Sequence, residues 1–331
     1  MIALLAALVV LGLAVSVSAR KNGNNIVVVH QDVDRKGTVQ KYDITRGGPI
    51  GNLGPSFTFD FPSVEMTSDS NTGDTYVVVF PDGAPGSVLY LLDENLNTTY
   101  IWNNVPYWFF DLQFSPEQNT LYGVKVVSTY GRVLTNFVVD QATDSFIDTE
   151  LYTVPYMWYV NASSFDPVNN RYFALLNNFP GLESSTSDQQ LVVADFSGGA
   201  ANTNPTVGLF PIVSGDLLVH FVTYAHGVQT LFCAGRNDGR RQVEVGILSQ
   251  TDGTVEKVVY AVDGYAVGPL MYVPNGEFGE LMLYVQTQPG AAPTWQLWAL
   301  RLGADKTVKA RLVNTYTGNY YTYFDGIAVA Y

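Results

Sequence analysis

Five times this chain runs an apolar strand into a polar turn and back into an apolar strand, at a nearly constant spacing. The phrases VEMTSD, LQFSPE, SSFDPV, HFVTYA and LMYVPN end their apolar runs at Met66, Phe114, Phe165, Val222 and Tyr272, which lie 48, 51, 57 and 50 residues apart. Between them come short runs rich in Val, Tyr, Leu and Phe, separated by turn residues and without helical periodicity, so the chain reads as all-β. About four such runs fall in each period; SVEMTS, TYVVVF, SVLYLL and TTYIWN make one unit, DLQFS, LYGVKVV, VLTNFVV and SFIDTELY the next. A period near fifty with four strands per unit predicts a β-propeller.

Three further units follow, from Ser164 to Pro211, from Asp216 to about Ala261 and from Gly268 to about Asn314. The remainders at the two ends complement each other: FDGIAVAY has no second strand after it, and NNIVVVHQD has no first strand before it. If Ile327–Tyr331 supplies the innermost strand and 26–34 the second, with TVQKYDI third and SFTFDF fourth, the N- and C-terminal strands pair in one blade. The expectation is a six-bladed β-propeller, closed so that few sheet edges stay open, forming one domain over residues 20–331. The repeated phrase is then the hairpin between the two innermost strands of a blade, with Pro and Asn supplying the turn.

Ahead of that domain, MIALLAALVVLGLAVSVSA is uncharged and apolar and ends in small residues, which reads as a signal peptide cleaved after Ala19. The lack of a basic residue before the run and the Arg20–Lys21 pair after it also suit an uncleaved anchor. With cleavage the expectation is a secreted, extracellular protein with no membrane contact. Asn97-Thr98-Thr99 and Asn161-Ala162-Ser163 fit the glycosylation pattern, as befits a glycoprotein. One cysteine, Cys233 in TLFCAG, excludes an internal disulfide and reads as a buried small hydrophobe. A formal net charge of -13, with 17 Lys and Arg against 30 Asp and Glu, disfavours nucleic acid and anionic membranes as partners. A small molecule or glycan ligand, or a cation, fits better.

NVPYWFFD and TVPYMWYVN repeat another phrase between the last strand of one unit and the first of the next. In a propeller these connections gather around one mouth of the central channel. They bring Tyr107, Trp108, Tyr156 and Trp158 there, and by position Tyr265, Tyr321 and Tyr323. Large amphipathic rings at a concave mouth suit stacking on sugars or planar ligands, and they also suit packing between blades. One step deeper, Asp111, Asn161, Asp216 and Asp325 fall at or just before the starts of innermost strands, and Glu65 lies in the corresponding strand of another unit. Oxygen side chains converging from several blades suit a hard cation such as Ca²⁺.

The unit count, the secretion signal and this Asp/Asn/Glu set resemble the calcium-dependent six-bladed propellers of the gluconolactonase-like, paraoxonase-like and strictosidine-synthase-like kinds, at the level of the fold. That resemblance implies a channel metal held by Glu65, Asn161, Asp216 and Asp325, polarising a lactone, ester or phosphoester, with Asp111 or His220 as the base. A glycan on Asn161 excludes a buried ligand role for it. His220, in LLVHFV, is the one histidine of three placed near the channel, and a lone His on a β run also serves structure. There is no G-x-S-x-G, H-E-x-x-H, P-loop or dinucleotide fingerprint. The two functions expected are ligand binding at the aromatic rim and metal-assisted hydrolysis in the channel.

Overall fold

The computed structural model describes residues 25–31, 36–44, 48–50, 56–58, 64–69, 71–80, 86–115, 118–128, 131–155, 158–178, 189–197, 205–290, 293–317 and 324–330. The expected signal peptide lies outside them, as do Tyr156, Tyr321 and Tyr323.

The chain is all-β and folds as a β-propeller. It begins with β1 (Asn25–Gln31), β2 (Lys36–Asp43) and the short β3 (Gly48–Ile50) and β4 (Ser56–Thr58). Five regular four-stranded units follow. The first holds β5 (Val64–Ser68), β6 (Thr75–Val79), β7 (Ser87–Leu92) and β8 (Thr98–Val105), and the second β9 (Trp108–Ser115), β10 (Thr120–Val126), β11 (Arg132–Asp140) and β12 (Ser145–Val154). The third holds β13 (Trp158–Asp166), β14 (Arg171–Asn178), β15 (Gln189–Asp195) and β16 (Thr206–Pro211). The fourth holds β17 (Leu217–Ala225), β18 (Thr230–Asn237), β19 (Gln242–Leu248) and β20 (Val255–Asp263), and the fifth β21 (Ala266–Val273), β22 (Glu280–Gln288), β23 (Thr294–Leu302) and β24 (Val308–Thr317). Last comes β25 (Phe324–Ala330), which pairs antiparallel with β1 from Asn25↔Ala330 to His30↔Phe324.

Each regular unit is an antiparallel meander whose strands pair in chain order. The residues explain which strand lies where. The second strands, TYVVV, TLYGVKV, TLFCAGRN and ELMLYVQTQ, are apolar almost throughout and buried on both faces, as a strand flanked by sheets on either side requires. The outermost β12 and β20 mix Lys, Glu and Asp with apolar residues and are half-exposed. The five markers Met66, Phe114, Phe165, Val222 and Tyr272 are all buried, one in each of β5, β9, β13, β17 and β21, so the period was read in the correct register.

The terminal sheet is ordered β25-β1-β2-β3, with β4 also on β2. Its outer strand is not the single SFTFDF run expected: GPI pairs with Lys41–Asp43 and SFT with Lys36–Thr38.

The core is divided among the joints between sheets. Tyr76, Val78 and Leu89 pack on Phe109, Leu121 and Phe137; Tyr122 and Leu134 on Phe165, Tyr172 and Ala174; Phe173 and Leu175 on Leu217, Val219 and Val222; Phe232 and Val245 on Leu281 and Leu283. Met282 and Tyr284 pack on Ile26 and Tyr42, and Val27 and Val39 on Met66 and Val77. Each fully buried ring or branched side chain contributes about 1.5–3 kcal/mol. Hydroxyls latch three of these joints: Thr67 Oγ1 accepts the Phe114 N–H at 3.1 Å, Ser164 Oγ the Tyr224 N–H at 2.8 Å, and Thr223 Oγ1 the Tyr272 N–H at 3.2 Å. The first strands β5, β9, β13, β17 and β21 each contact the next, and β25 contacts β5 and β21. Cys233 is free and buried in this packing, as expected.

The hairpin phrase has a backbone reason. Asn119 and Asn170, each the last residue before a second strand, adopt φ of 50° and 56°, a left-handed conformation that asparagine tolerates better than most side chains. Asp166 prepares the same turn by accepting the N–H groups of Val168 and Asn169 at 2.9 and 3.2 Å.

Candidate functional site at the channel mouth

The inner strands all enter from the same face, and near that end most of them break register. β9 carries Asp111 and Leu112 between the pairs Phe110↔Val124 and Gln113↔Tyr122, β13 carries Asn161 between Val160↔Leu176 and Ala162↔Leu175, and β17 carries His220 between Val219↔Gly235 and Phe221↔Ala234. β21 shifts at Gly268–Pro269, and β25 shifts against β1 at Asp325. These are β-bulges, which leave the extra residue outside the ladder and re-aim its side chain. Asp111, Asn161, His220 and Asp325, singled out from the sequence, are therefore the bulged residues of their strands. Asp216 is not: it lies exposed in the turn before β17.

Asp111 is held most firmly. Its φ is 56°, and its carbonyl accepts the Ser163 hydroxyl at 2.9 Å and the Tyr172 hydroxyl at 3.3 Å. Gln113 Nε2 donates to Ser163 Oγ at 3.3 Å and to its carbonyl at 3.4 Å, tying β9 to β13. The Asp111 N–H donates to the Glu65 carboxylate from the next inner strand. Both acids keep some accessible surface, as groups deep in a narrow channel do. Burial pushes the Asp111 carboxyl up to about 7. Burial, and then the Asp111 charge, raise Glu65 well above the carboxylate range, against the hydrogen bond from the Asp111 amide. Burial and the same two acids push the Tyr172 hydroxyl upward, so it acts as a donor. Both carboxyls are thus held toward their protonated forms.

His220 stands apart from that pair: burial lowers its pKa, the Arg236 charge lowers it further, and Asp238 opposes. Among the described residues no three of His, Cys, Asp and Glu are grouped as a metal site would need; the side chains of Asn161 and Asp325 lie outside the described set.

Three rings belong to the same two units as the acids, Trp108 and Phe110 in β9 and Phe80 just after β6. Trp108 is 46% exposed, edge-on to Phe80 at 6.5 Å, while Phe80 packs on Phe110 at 5.0 Å. Tyr265 is 45% exposed. Tyr107 holds its ring 4.4 Å from Lys125 Nζ, and Trp158 packs into the joint with Tyr172 and Phe165. The rim thus divides into presented rings, Trp108 and Tyr265, and packed ones, Tyr107 and Trp158. Sequence reasoning missed Phe80, Phe110, Ser163, Tyr172 and Lys125. The FPDG turn signal beside Phe80 offered a hint; the others depend on register. Asn97 is exposed, its amide donating to Asp93 at 2.9 Å.

No protein-family model and no curated protein sequence matches the chain. Solved structures match in fold. TolB of Acinetobacter baumannii aligns with a TM-score of 0.56 at 13% identity, covering 93% of this chain and 67% of that one. The periplasmic gluconolactonase PpgL of Pseudomonas aeruginosa gives 0.53 at 11%, covering 90% and 97%, and the hydrazine synthase of Kuenenia stuttgartiensis 0.52 at 14%, covering 88% and 80%. The fold-level resemblance to gluconolactonase-like propellers therefore holds, and at these identities it speaks for architecture alone. No helix among the described residues is long and apolar enough to cross a membrane.

Proposed function

We propose that the protein is a secreted propeller that binds a small neutral molecule, a glycan or a planar ring, at its channel mouth. The observation that carries this reading is the exposed Trp108 packed edge-on to Phe80, and Phe80 on Phe110, in the same two units that hold the Glu65–Asp111 pair. Rings supply a face for a sugar or aromatic ring, and two carboxyls raised toward neutrality supply donors and acceptors for its hydroxyl or carbonyl groups. A neutral chromogenic probe that joins both features, 4-nitrophenyl β-D-glucopyranoside, tests it. Trp108→Ala should keep the melting temperature and lose at least tenfold in affinity by calorimetry; equal affinity in the two proteins would reject the rim as the site.

A second reading rests on the same acids. A carboxyl poised near pH 7 suits general acid–base work, so the channel would hydrolyse lactones or esters with Asp111 as the base. A calcium ion held by Glu65 with Asn161 and Asp325 is a separate proposal, and no step is routed through it. Hydrolysis of a gluconolactone that survives Asp111→Asn unchanged would remove the catalytic reading.

We also read the terminal sheet as a sixth blade, with the β25–β1 pairing closing the ring, and Asn97 as the acceptor of a glycan. Deleting residues 324–331 should then strip an innermost strand and unfold or aggregate the domain; an unchanged melting temperature would exclude this closure.

A further inference from the structure

Lys125 ends a buried apolar strand, and its ammonium group reaches two carboxylates of β12, Asp148 Oδ2 at 2.6 Å and Glu150 Oε1 at 2.7 Å. Its side chain is 6% exposed. The same nitrogen lies 4.4 Å from the centre of the Tyr107 ring. On the other side of that residue, the Ser87 hydroxyl donates to the Tyr107 carbonyl at 2.6 Å. Tyr107 is therefore gripped twice, by its ring from the blade it enters and by its backbone from the blade it leaves. Trp108 is the next residue, and it is the exposed ring of the mouth.

We infer that Lys125 is a positioning residue for the channel mouth: it sets the direction in which Trp108 is presented, without touching a ligand itself. A cation over an aromatic face is attracted by the ring quadrupole, and the attraction grows when water is excluded. The two carboxylates pin the ammonium in place, so the ring has one preferred seat. Arginine keeps charge and stacking but spreads them over a planar fork, whereas methionine keeps the apolar stem and removes the charge. The ligand is reached only through Trp108, so this inference rests on the proposed rim site, but its central claim can be read without a ligand.

The experiment uses the mature chain with Lys125→Met, Lys125→Arg and Ser87→Ala, each paired with Trp108→Phe so that the Trp108 signal is obtained by difference. Acrylamide quenching reports how freely Trp108 moves, and calorimetry with 4-nitrophenyl β-D-glucopyranoside reports affinity. Lys125→Met should raise the Trp108 quenching constant about twofold and weaken probe binding at least fivefold, with Lys125→Arg recovering most of both. Should Lys125→Met fail to fold, Ser87→Ala releases the second grip and should raise quenching in the same direction. Unchanged Trp108 quenching in the folded variants overturns the inference, whatever the probe does. Increased quenching with unchanged probe binding in wild type and Trp108→Ala alike upholds the clamp and rejects the rim site instead.

Discussion

Replacing Asp111 by asparagine should make the protein more stable above neutral pH. The residue adopts φ of 56°, where asparagine is as well tolerated as aspartate, so the backbone is undisturbed. What changes is the charge. Folding raises this carboxyl from an ordinary 3.8 to about 7, because a carboxylate is poorly solvated there. A group whose folded-state pKa lies above its unfolded one binds its proton more tightly when folded. Its contribution is intact below pH 4 and is lost as the pH climbs through about 7.

A rise of roughly three pH units corresponds to about 4 kcal/mol at ~1.4 kcal/mol per unit. The neighbouring Glu65 and water in the channel reduce this, and about 2 kcal/mol is the expected gain for Asp111→Asn at pH 8. For a chain of this size that is a rise of about 3–6 °C in melting temperature. Urea unfolding of both proteins from pH 4.5 to 8.5 measures it, and the general effect of net charge cancels in the difference. The two curves should lie closest at pH 4.5, separate progressively up to about pH 7 and keep that separation above it. Parallel curves, or a variant weaker than wild type at pH 8, would show that the acids are not buried together as described. A site that gains stability on losing its charge is one where the native residue serves something other than folding.

Thr223→Val keeps the shape of a buried side chain but removes the acceptor of the Tyr272 N–H; the stranded donor should cost about 1–3 kcal/mol in urea unfolding, and no loss would mean the latch is idle. Gln229 adopts φ of 49° before β18, so Gln229→Gly should stabilise by about 0.5 kcal/mol, the relief of left-handed strain exceeding the entropy of glycine. Asn119→Gly, at a residue already suited to that turn, should be close to neutral by the same measurement; a large gain there would contradict the account of the repeated phrase.

The blades were legible because their determinants are local. Apolar runs mark buried strands, and Asn119 and Asn170 mark turns whose backbone only a few residue types adopt readily. The inner-strand acids were legible for a related reason: Asp111 interrupts the apolar run WFFDLQF, and a charge in such a run must be turned aside. What the charge meets is not local. Glu65 and Asp111 are 46 residues apart in the chain, and Lys125 finds Asp148 and Glu150 through the register of two intervening strand pairs. Register also decided the rim, sending Trp158 into a joint and leaving Trp108 in solvent. Asp216 was misplaced by position alone: one residue before a strand, it remains in the turn.

The latches have a mechanical consequence. Within a blade the strands are joined by full ladders, whereas neighbouring blades share packing and only a few hydrogen bonds, so the propeller is a set of stiff plates with more compliant seams. Two seams are bolted more firmly, that between β9 and β13 by the hydroxyls of Ser163 and Tyr172 and the amide of Gln113 around Asp111, and that between the third and fourth units by the Gln189 side chain on Val219 and by Ser164 on Tyr224. Slow breathing of the ring is thereby shunted to the other seams, and the Tyr272 amide should exchange with solvent deuterium faster than amides beside Asp111. Asp111 sits on a rigid seam, where its backbone is held while the aperture around it flexes.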